Sequence, residues 1–302
     1  MNVGVLLDAV SLMLPDREAV WDGERRLGYS ALAEEARARA GWIRERCRGR
    51  PVLFAGTGGT SFVVALFACA AAGSPLVPVN FRSKQEEIDG FMEAAQPALV
   101  LAEPRYAASF ERWSEITFDP AAAPGPGASE PAGPPPEGAA VCLFTSGTTG
   151  RPKLVTLTHD NLASYVLNTV DAASAGPEET ALLSTPPYHV AAVAGVLSNV
   201  YRGRRLRILR TFEPLDWLRI VREERVTYAM VVPTMLSRIL DALEASPELV
   251  PESLETLSYG GARPPAGLVE RALRLLPPEV GLVNAFGLTE ASSWLLYTSP
   301  SP

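Results

Sequence analysis

Between Pro51 and Ala102 the chain alternates short apolar runs with helical patterns, and this rhythm limits the folds open to it. Pro51 to Ala55, Leu76 to Val79 and Ala98 to Ala102 read as strands, while 61–72 and 83–92 read as helices. Apolar runs without alternation mark strands covered on both faces. Strands separated by helices predict a mostly parallel sheet with helices on either side. The rhythm resumes later, with strands expected at 181–185, 204–209, 226–232, 257–259 and 281–284. Helices are expected at 160–172, after 190 to Tyr201, and at 214–225, 234–245 and 265–276. Near the start, residues 17–29 read as a hairpin turning at Asp22-Gly23. A helix follows, with Ser30 as its N-cap and Arg44, Arg46 and Arg48 near its end, an order that suits the helix dipole. The fold class is α/β, with two mostly parallel sheets and flanking helices.

Composition narrows the function. The 302 residues are 47% apolar, enough for a large core, and carry a net charge of −7. That balance argues against a nucleic-acid partner, which needs a basic face. Cys47, Cys69 and Cys142 are far apart and form no C-x-x-C pair. They read as reduced, buried thiols, not as a disulfide framework or zinc site. The apolar N-terminus lacks a basic flank and contains Asp8, so a signal peptide is not expected. The longest apolar run, 61–73, is too short to span a bilayer. A cytoplasmic protein is the expectation.

Chemistry concentrates at four expected strand ends. The first is 145–153, TSGTTGRPK, set between two β-prone runs. It places glycines, several hydroxyls and one lysine within nine residues. Glycines let the backbone curl so that its N–H groups surround an anion, which is what a polyphosphate requires. It is neither a Walker A loop nor a nucleophile elbow. The others are PPYH at 186–189, YGGA at 259–262 and NAFGLTE at 284–290. Ligands of open α/β sheets bind beyond the carboxyl ends of strands, so four such ends predict one shared site. GTGGT at 56–60 reads as a strand-to-helix turn, and the alternating arginines of 202–210 read as a solvated or edge face.

TSGTTGRPK resembles the phosphate loop of the adenylate-forming (AMP-binding) superfamily, which includes acyl- and aryl-CoA synthetases, luciferases and peptide-synthetase adenylation domains. PPYH, YGGARPP and NAFGLTE are similar to its later motifs, in order and spacing, and the resemblance covers nearly the whole chain. It implies ATP-dependent activation of a small carboxylic acid to an acyl-adenylate, then transfer to coenzyme A. Fatty or other apolar acids are expected from the small, apolar AAVAGVLSNV after His189. An aryl-acid ligase, a peptide-synthetase domain and a nucleotide-binding fragment without turnover are the alternatives.

The resemblance assigns roles by position. Thr145, Ser146, Gly147, Thr148, Thr149, Gly150 and Lys153 would cradle the β- and γ-phosphates. Thr145 and Glu290 would hold Mg²⁺, a hard ion that prefers oxygen ligands. Thr289 would touch the α-phosphate. Gly260, Gly261 and Ala262 would line the adenine, with Phe286 stacked on the base where the family more often has tyrosine, and Asn284, Ala285 and Gly287 would also be cofactor-binding. His189 would line the acyl and thiol path, a core or capping role being the alternative, and His159 is expected to cap a helix. Residues 1–50 with 176–293 are expected to form one subdomain, 51–175 the second, with the site between them. The Pro/Gly/Ala-rich 119–138 reads as a flexible loop. The family's ribose aspartate and catalytic lysine have no counterpart here. A truncated, poorly active piece with a non-native, loosely packed tail at 294–302 is the expectation.

Overall fold

The computed structural model describes residues 1–122, 138–145, 153–289 and 293–297. The chain begins with helix α1 (Gly4–Met13), followed by the hairpin β1 (Glu18–Trp21) and β2 (Arg26–Gly28) and the long helix α2 (Tyr29–Cys47). Next come β3 (Val52–Ala55), α3 (Gly59–Ala72), β4 (Leu76–Pro78), α4 (Gln85–Ala95), β5 (Leu99–Ala102) and, after a 3-10 segment at Pro104–Ile116, β6 (Thr117–Phe118). The hairpin β7 (Ala139–Thr145) and β8 (Lys153–Thr158) leads into α5 (His159–Thr169) and β9 (Thr180–Leu183). The remainder alternates: α6 (Val190–Arg202), β10 (Arg205–Ile208), α7 (Pro214–Glu223), β11 (Tyr228–Val231), α8 (Pro233–Ala245), β12 (Thr256–Gly260), α9 (Leu268–Leu275), β13 (Gly281–Leu288) and β14 (Ser293–Tyr297).

Two sheets result. Six strands lie in the order β6-β5-β3-β4-β7-β8, and eight in the order β14-β13-β12-β11-β9-β10-β1-β2. Among the described strands only the pairs β7–β8, β1–β2 and β13–β14 are antiparallel. The largest apolar cluster lies between the sheets and is built from α1, α2, α3, α5 and α6. A second covers the outer face of the larger sheet with α7, α8 and α9, and a third covers the smaller sheet with α4. The β3 and β5 strands are buried at every residue, as strands covered on both faces must be. No described helix is long and apolar enough to cross a membrane. All three cysteines are free and buried, and burial pushes the Cys69 thiol well up and the Cys47 thiol to about 11.

Several local expectations differ from the structure. The apolar N-terminus folds as α1, whose Leu6, Leu7 and Val10 are buried. Gly28, not Ser30, is the N-cap of α2. The helix starts two residues early, with Tyr29 buried and its hydroxyl within donating reach of Val200 O (3.1 Å) and Arg204 O (2.8 Å). The arginines of 202–210 are not on an edge. The β10 strand runs between β9 and β1. Leu206 and Ile208 enter the core, while Arg207 lies 5.2 Å over the Trp21 ring, 3.7 Å from Glu224. His159 is structural but does not cap: Thr158 does, accepting the Asn161 N–H at 3.1 Å. The buried His159 ring instead takes the Val3 N–H on Nδ1 at 3.4 Å, tying α5 to the N-terminus. Finally, the backbone of 293–297 is paired with β13 from Asn284↔Tyr297 to Leu288↔Ser293, where a loose tail was expected.

Candidate functional site

Parallel strands align their carboxyl ends, and the described residues of the sequence clusters sit there. In the larger sheet, β12 ends at Gly260 opposite Ala285 of β13, and Tyr259 is opposite Asn284. PPYH follows the end of β9, where the His189 N–H donates to Pro186 O at 3.1 Å and His189 becomes the N-cap of α6. In the smaller sheet β7 runs parallel to β4, which puts Thr145 at the same edge as the ends of β3, β4 and β5. Thr145 and Lys153 are register partners in the β7–β8 ladder. Thr145 is half-buried and Lys153 exposed.

These two edges face each other. Gly58 comes so close to Pro187 that a Cβ would lie 3.2 Å from Pro187 Cγ, and its φ of +107° suits glycine alone. The Tyr188 ring packs 5.9 Å from Phe81, just past β4, and 4.6 Å from the His189 ring. Below these rings lies a charged knot. Glu103, 4% exposed, accepts from the Thr57 N–H (3.0 Å), Arg105 Nη2 (3.0 Å) and Arg210 Nη2 (3.2 Å). The Thr60 N–H donates to Asp22 at 2.8 Å, joining the first hairpin to α3. Burial would raise the Asp22 carboxyl, but N–H donors from Thr60, Arg25 and Glu24 outweigh it and hold it low. The GTGGT turn is thus the hinge pin between the sheets. Its partners Glu103, Arg105 and Arg210 escaped the sequence reading, since nothing local links residue 57 to residue 210.

A cleft of about 250 Å³ opens at this junction, with His189, Arg82, Arg210 and Arg238 on its walls. Ser184 Oγ and Thr185 Oγ1, at the end of β9, are buried with no hydrogen-bond partner among the described residues. His189 keeps an exposed edge, yet its packed surroundings lower its pKa, because desolvation disfavours the imidazolium.

The residues expected around the adenine divide by exposure. Ala285 is buried and Asn284 and Gly287 are half-buried. Phe286 is 55% exposed, a large apolar ring without a cover among the described residues. Gly261 (φ +86°) and Ala262 are exposed just past β12, and Thr289 is half-buried just past β13. Ser146, Gly147, Thr148, Thr149, Gly150 and Glu290 lie outside the described residues.

A larger cavity, about 410 Å³, lies between α6 and the sheet, on the inner side of Ala285. Ala191, Ala194 and Gly195 form its wall nearest the strand ends, against Met230 and Val283. Its far end is polar, which the AAVAGVLSNV stretch did not announce.

Comparison with known proteins fits this arrangement. A match to the AMP-binding enzyme family spans residues 8–302. A feruloyl-CoA synthase from Amycolatopsis is 32% identical over 94% of the chain, and a 2-succinylbenzoate–CoA ligase from Bacillus licheniformis is 29% identical over 95%. The chain spans 58% and 60% of the lengths of these relatives. The N-terminal domain of FACL13 from Mycobacterium tuberculosis shares the fold, with a TM-score of 0.82 at 22% identity, covering 98% of this chain and 78% of that one. Four motif-bearing strand ends on facing sheet edges, with a family match over almost the whole sequence, place this chain in the AMP-binding enzyme family.

Proposed function

We propose that the chain binds ATP and a small carboxylic acid across the facing sheet edges and activates the acid as an acyl-adenylate for transfer to coenzyme A. The observation that carries this reading is the convergence of Thr145, Lys153, His189, Gly260 and Ala285 on the carboxyl ends of parallel strands. Relatives that are CoA synthases and ligases of aromatic acids support the reaction class.

The residues divide the work by chemistry. Lys153, an exposed cation at the mouth of the β7–β8 hairpin, neutralises terminal phosphate charge. The open Phe286 ring offers a face for the adenine base. Thr145 and Glu290 are the proposed magnesium ligands; Thr145 supplies a hard oxygen at the strand end, as the ion requires. Magnesium, when bound, spreads phosphate charge and orients the leaving pyrophosphate. His189 stands between the cleft and the start of α6, with its imidazole biased to the neutral form. A neutral ring leaves the path free of a second cation while the acid approaches. The guanidinium groups of Arg82, Arg210 and Arg238 suit the phosphates of the thiol donor.

Nucleotide binding and turnover are measured separately. The chain should bind Mg-ATP, and Lys153→Met should weaken binding roughly 10- to 100-fold, the worth of one charge-assisted hydrogen bond. Acid-dependent ATP–pyrophosphate exchange then reports activation. Absence of nucleotide binding at millimolar ATP would overturn the reading.

A further inference from the structure

The cavity under α6 changes character along its length. The helix presents Ala191, Ala194, Gly195, Ser198, Asn199 and Arg202 to it, a spacing that keeps them on one helical face. From the strand ends inward, the wall passes from small and apolar to charged over about 16 Å at 1.5 Å per residue. The sheet matches this gradient row by row. Gly260 pairs with Ala285, then Ser258 with Met230 and Val283, then Thr256 with Tyr228. Successive rows are about 7 Å apart, so the floor is about 13 Å long.

The far end is rich in donors that share few acceptors. Arg204 lies 4.8 Å over the Tyr228 ring, with Nε 2.9 Å from Glu179 and Nη1 3.1 Å from Asn199. Arg202 Nε is 3.5 Å from the same carboxylate without a well-formed hydrogen bond, and Ser198 Oγ, beside the Tyr165 hydroxyl, is buried with no well-formed hydrogen bond among the described residues. Two guanidinium groups therefore share one carboxylate, Glu179, which also accepts the Gly176 N–H. The other acid on this wall, Glu255, is exposed. Donors exceed acceptors at this end, where the Arg204 side chain is 15% and the Arg202 side chain 34% exposed, and donors left partly desolvated in that state favour a ligand that completes them.

We propose that this cavity takes a ring-sized acid whose far end carries a hydrogen-bond-accepting oxygen, read by Ser198 and the Arg202–Arg204 pair. The proposal rests on the acid-activation reading above and specifies its substrate. The volume lies within the usual range of small-molecule sites. The small residues of α6 facing Met230 and Val283 leave a slot for a flat ring. A plain aliphatic acid of the same length would strand the far-end donors. The accepting oxygen can belong to a phenol or to a second carboxylate, since guanidinium and serine hydroxyl donate to both.

The test uses the whole chain and three non-hydrolysable acyl-sulfamoyl-adenosine conjugates, bearing cinnamoyl, 4-hydroxycinnamoyl and 4-carboxycinnamoyl groups, followed by calorimetry. Either oxygen-bearing conjugate should bind about tenfold or more tighter than the cinnamoyl one, the yield of a hydrogen bond to a buried donor. Which of the two binds better tells phenol from carboxylate. Ser198→Ala should shrink that preference, and Ser198→Thr, which keeps the hydroxyl, should retain it. Equal binding of all three, or a preference untouched by Ser198→Ala, overturns this proposal and leaves the acid-activation reading standing. Tighter binding of a 4-aminomethyl conjugate also overturns it, because Glu179 would then be the reading group. Failure of every conjugate and of AMP to bind overturns both.

Discussion

Arg210 Nη2 stands 3.2 Å from Glu103 Oε1, an ion pair between the larger sheet's β10 end and the smaller sheet's β5 end. The Glu103 side chain is 6% exposed and that of Arg210 23%. Burial lowers the Arg210 guanidinium's affinity for its proton, but Glu103 and Glu24 outweigh that and raise it. Removing the carboxylate would leave Arg210 only the exposed Glu24 as a paired acid and would strip the Thr57 N–H and Arg105 of their buried acceptor. Glu103→Ala should therefore destabilise the protein by about 2–4 kcal/mol, discounted from the fully buried case for the water that still reaches Arg210. Urea denaturation followed by intrinsic fluorescence measures it. A change no larger than that of a surface substitution would show the pair to be incidental.

A second stability prediction concerns Tyr29, which is fully buried at the start of α2. Its hydroxyl lies between the carbonyls of Val200 and Arg204. Tyr29→Phe keeps the ring and removes the donor, so it should cost about 1–2 kcal/mol. Burial also raises the phenol's pKa, and difference absorbance should find one tyrosine that ionises only when the protein unfolds in alkali.

The chain's two histidines set an acid limit. Burial lowers the pKa of both His159 and His189, and the nearby amino terminus lowers His159 further. In the unfolded chain each binds a proton near the ordinary histidine pKa, while the folded chain resists until lower pH. The unfolded state thus gains protons first, and stability should fall as pH drops below about 6.5. His159→Gln should flatten that fall. An equally steep pH dependence in the variant would assign it to His189 or to the carboxylates.

Phe286 makes the opposite kind of prediction. More than half of its ring is exposed, so Phe286→Ala removes little packing. The denaturation midpoint should stay put while adenine-nucleotide affinity drops about 3- to 10-fold, the range of one aromatic stacking contact. Phe286→Tyr should bind at least as well as the parent. Unchanged affinity in Phe286→Ala would place the base elsewhere.

Much of this molecule was legible before the structure. Val52–Ala55 and Leu99–Ala102 announced themselves because a strand covered on both faces needs an unbroken apolar run. The strand-end motifs were legible because a turn of glycines and hydroxyls carries its chemistry locally. The first helix was not. Val3 offers no capping side chain and no acid stands in the first turn; packing against α2, α3 and α6 and contacts such as Arg37–Asp8, which no local pattern announces, hold it. Arg207 misled for a related reason. Its partner Trp21 is 186 residues away, and without it a half-buried arginine reads like an edge residue. The polar end of the α6 cavity was hidden similarly, because Ser198, Arg204, Tyr228 and Thr256 meet only once several elements are assembled.

That separation between Trp21 and Arg207 also sets a clock. β1 pairs in parallel with β10, and nothing made before β10 can take that place in the sheet. At about 5–20 residues per second, the first hairpin waits roughly 10–40 s on the ribosome for its neighbour to emerge. The smaller sheet needs only residues 52–158 and can be finished during that wait. Until then Val20 has no β10 neighbour at Leu206, and Tyr29 has no carbonyls to bond. The hairpin at the front of the gene is thus among the last parts to settle, and the interval in which a nascent-chain chaperone is useful is written into the strand order.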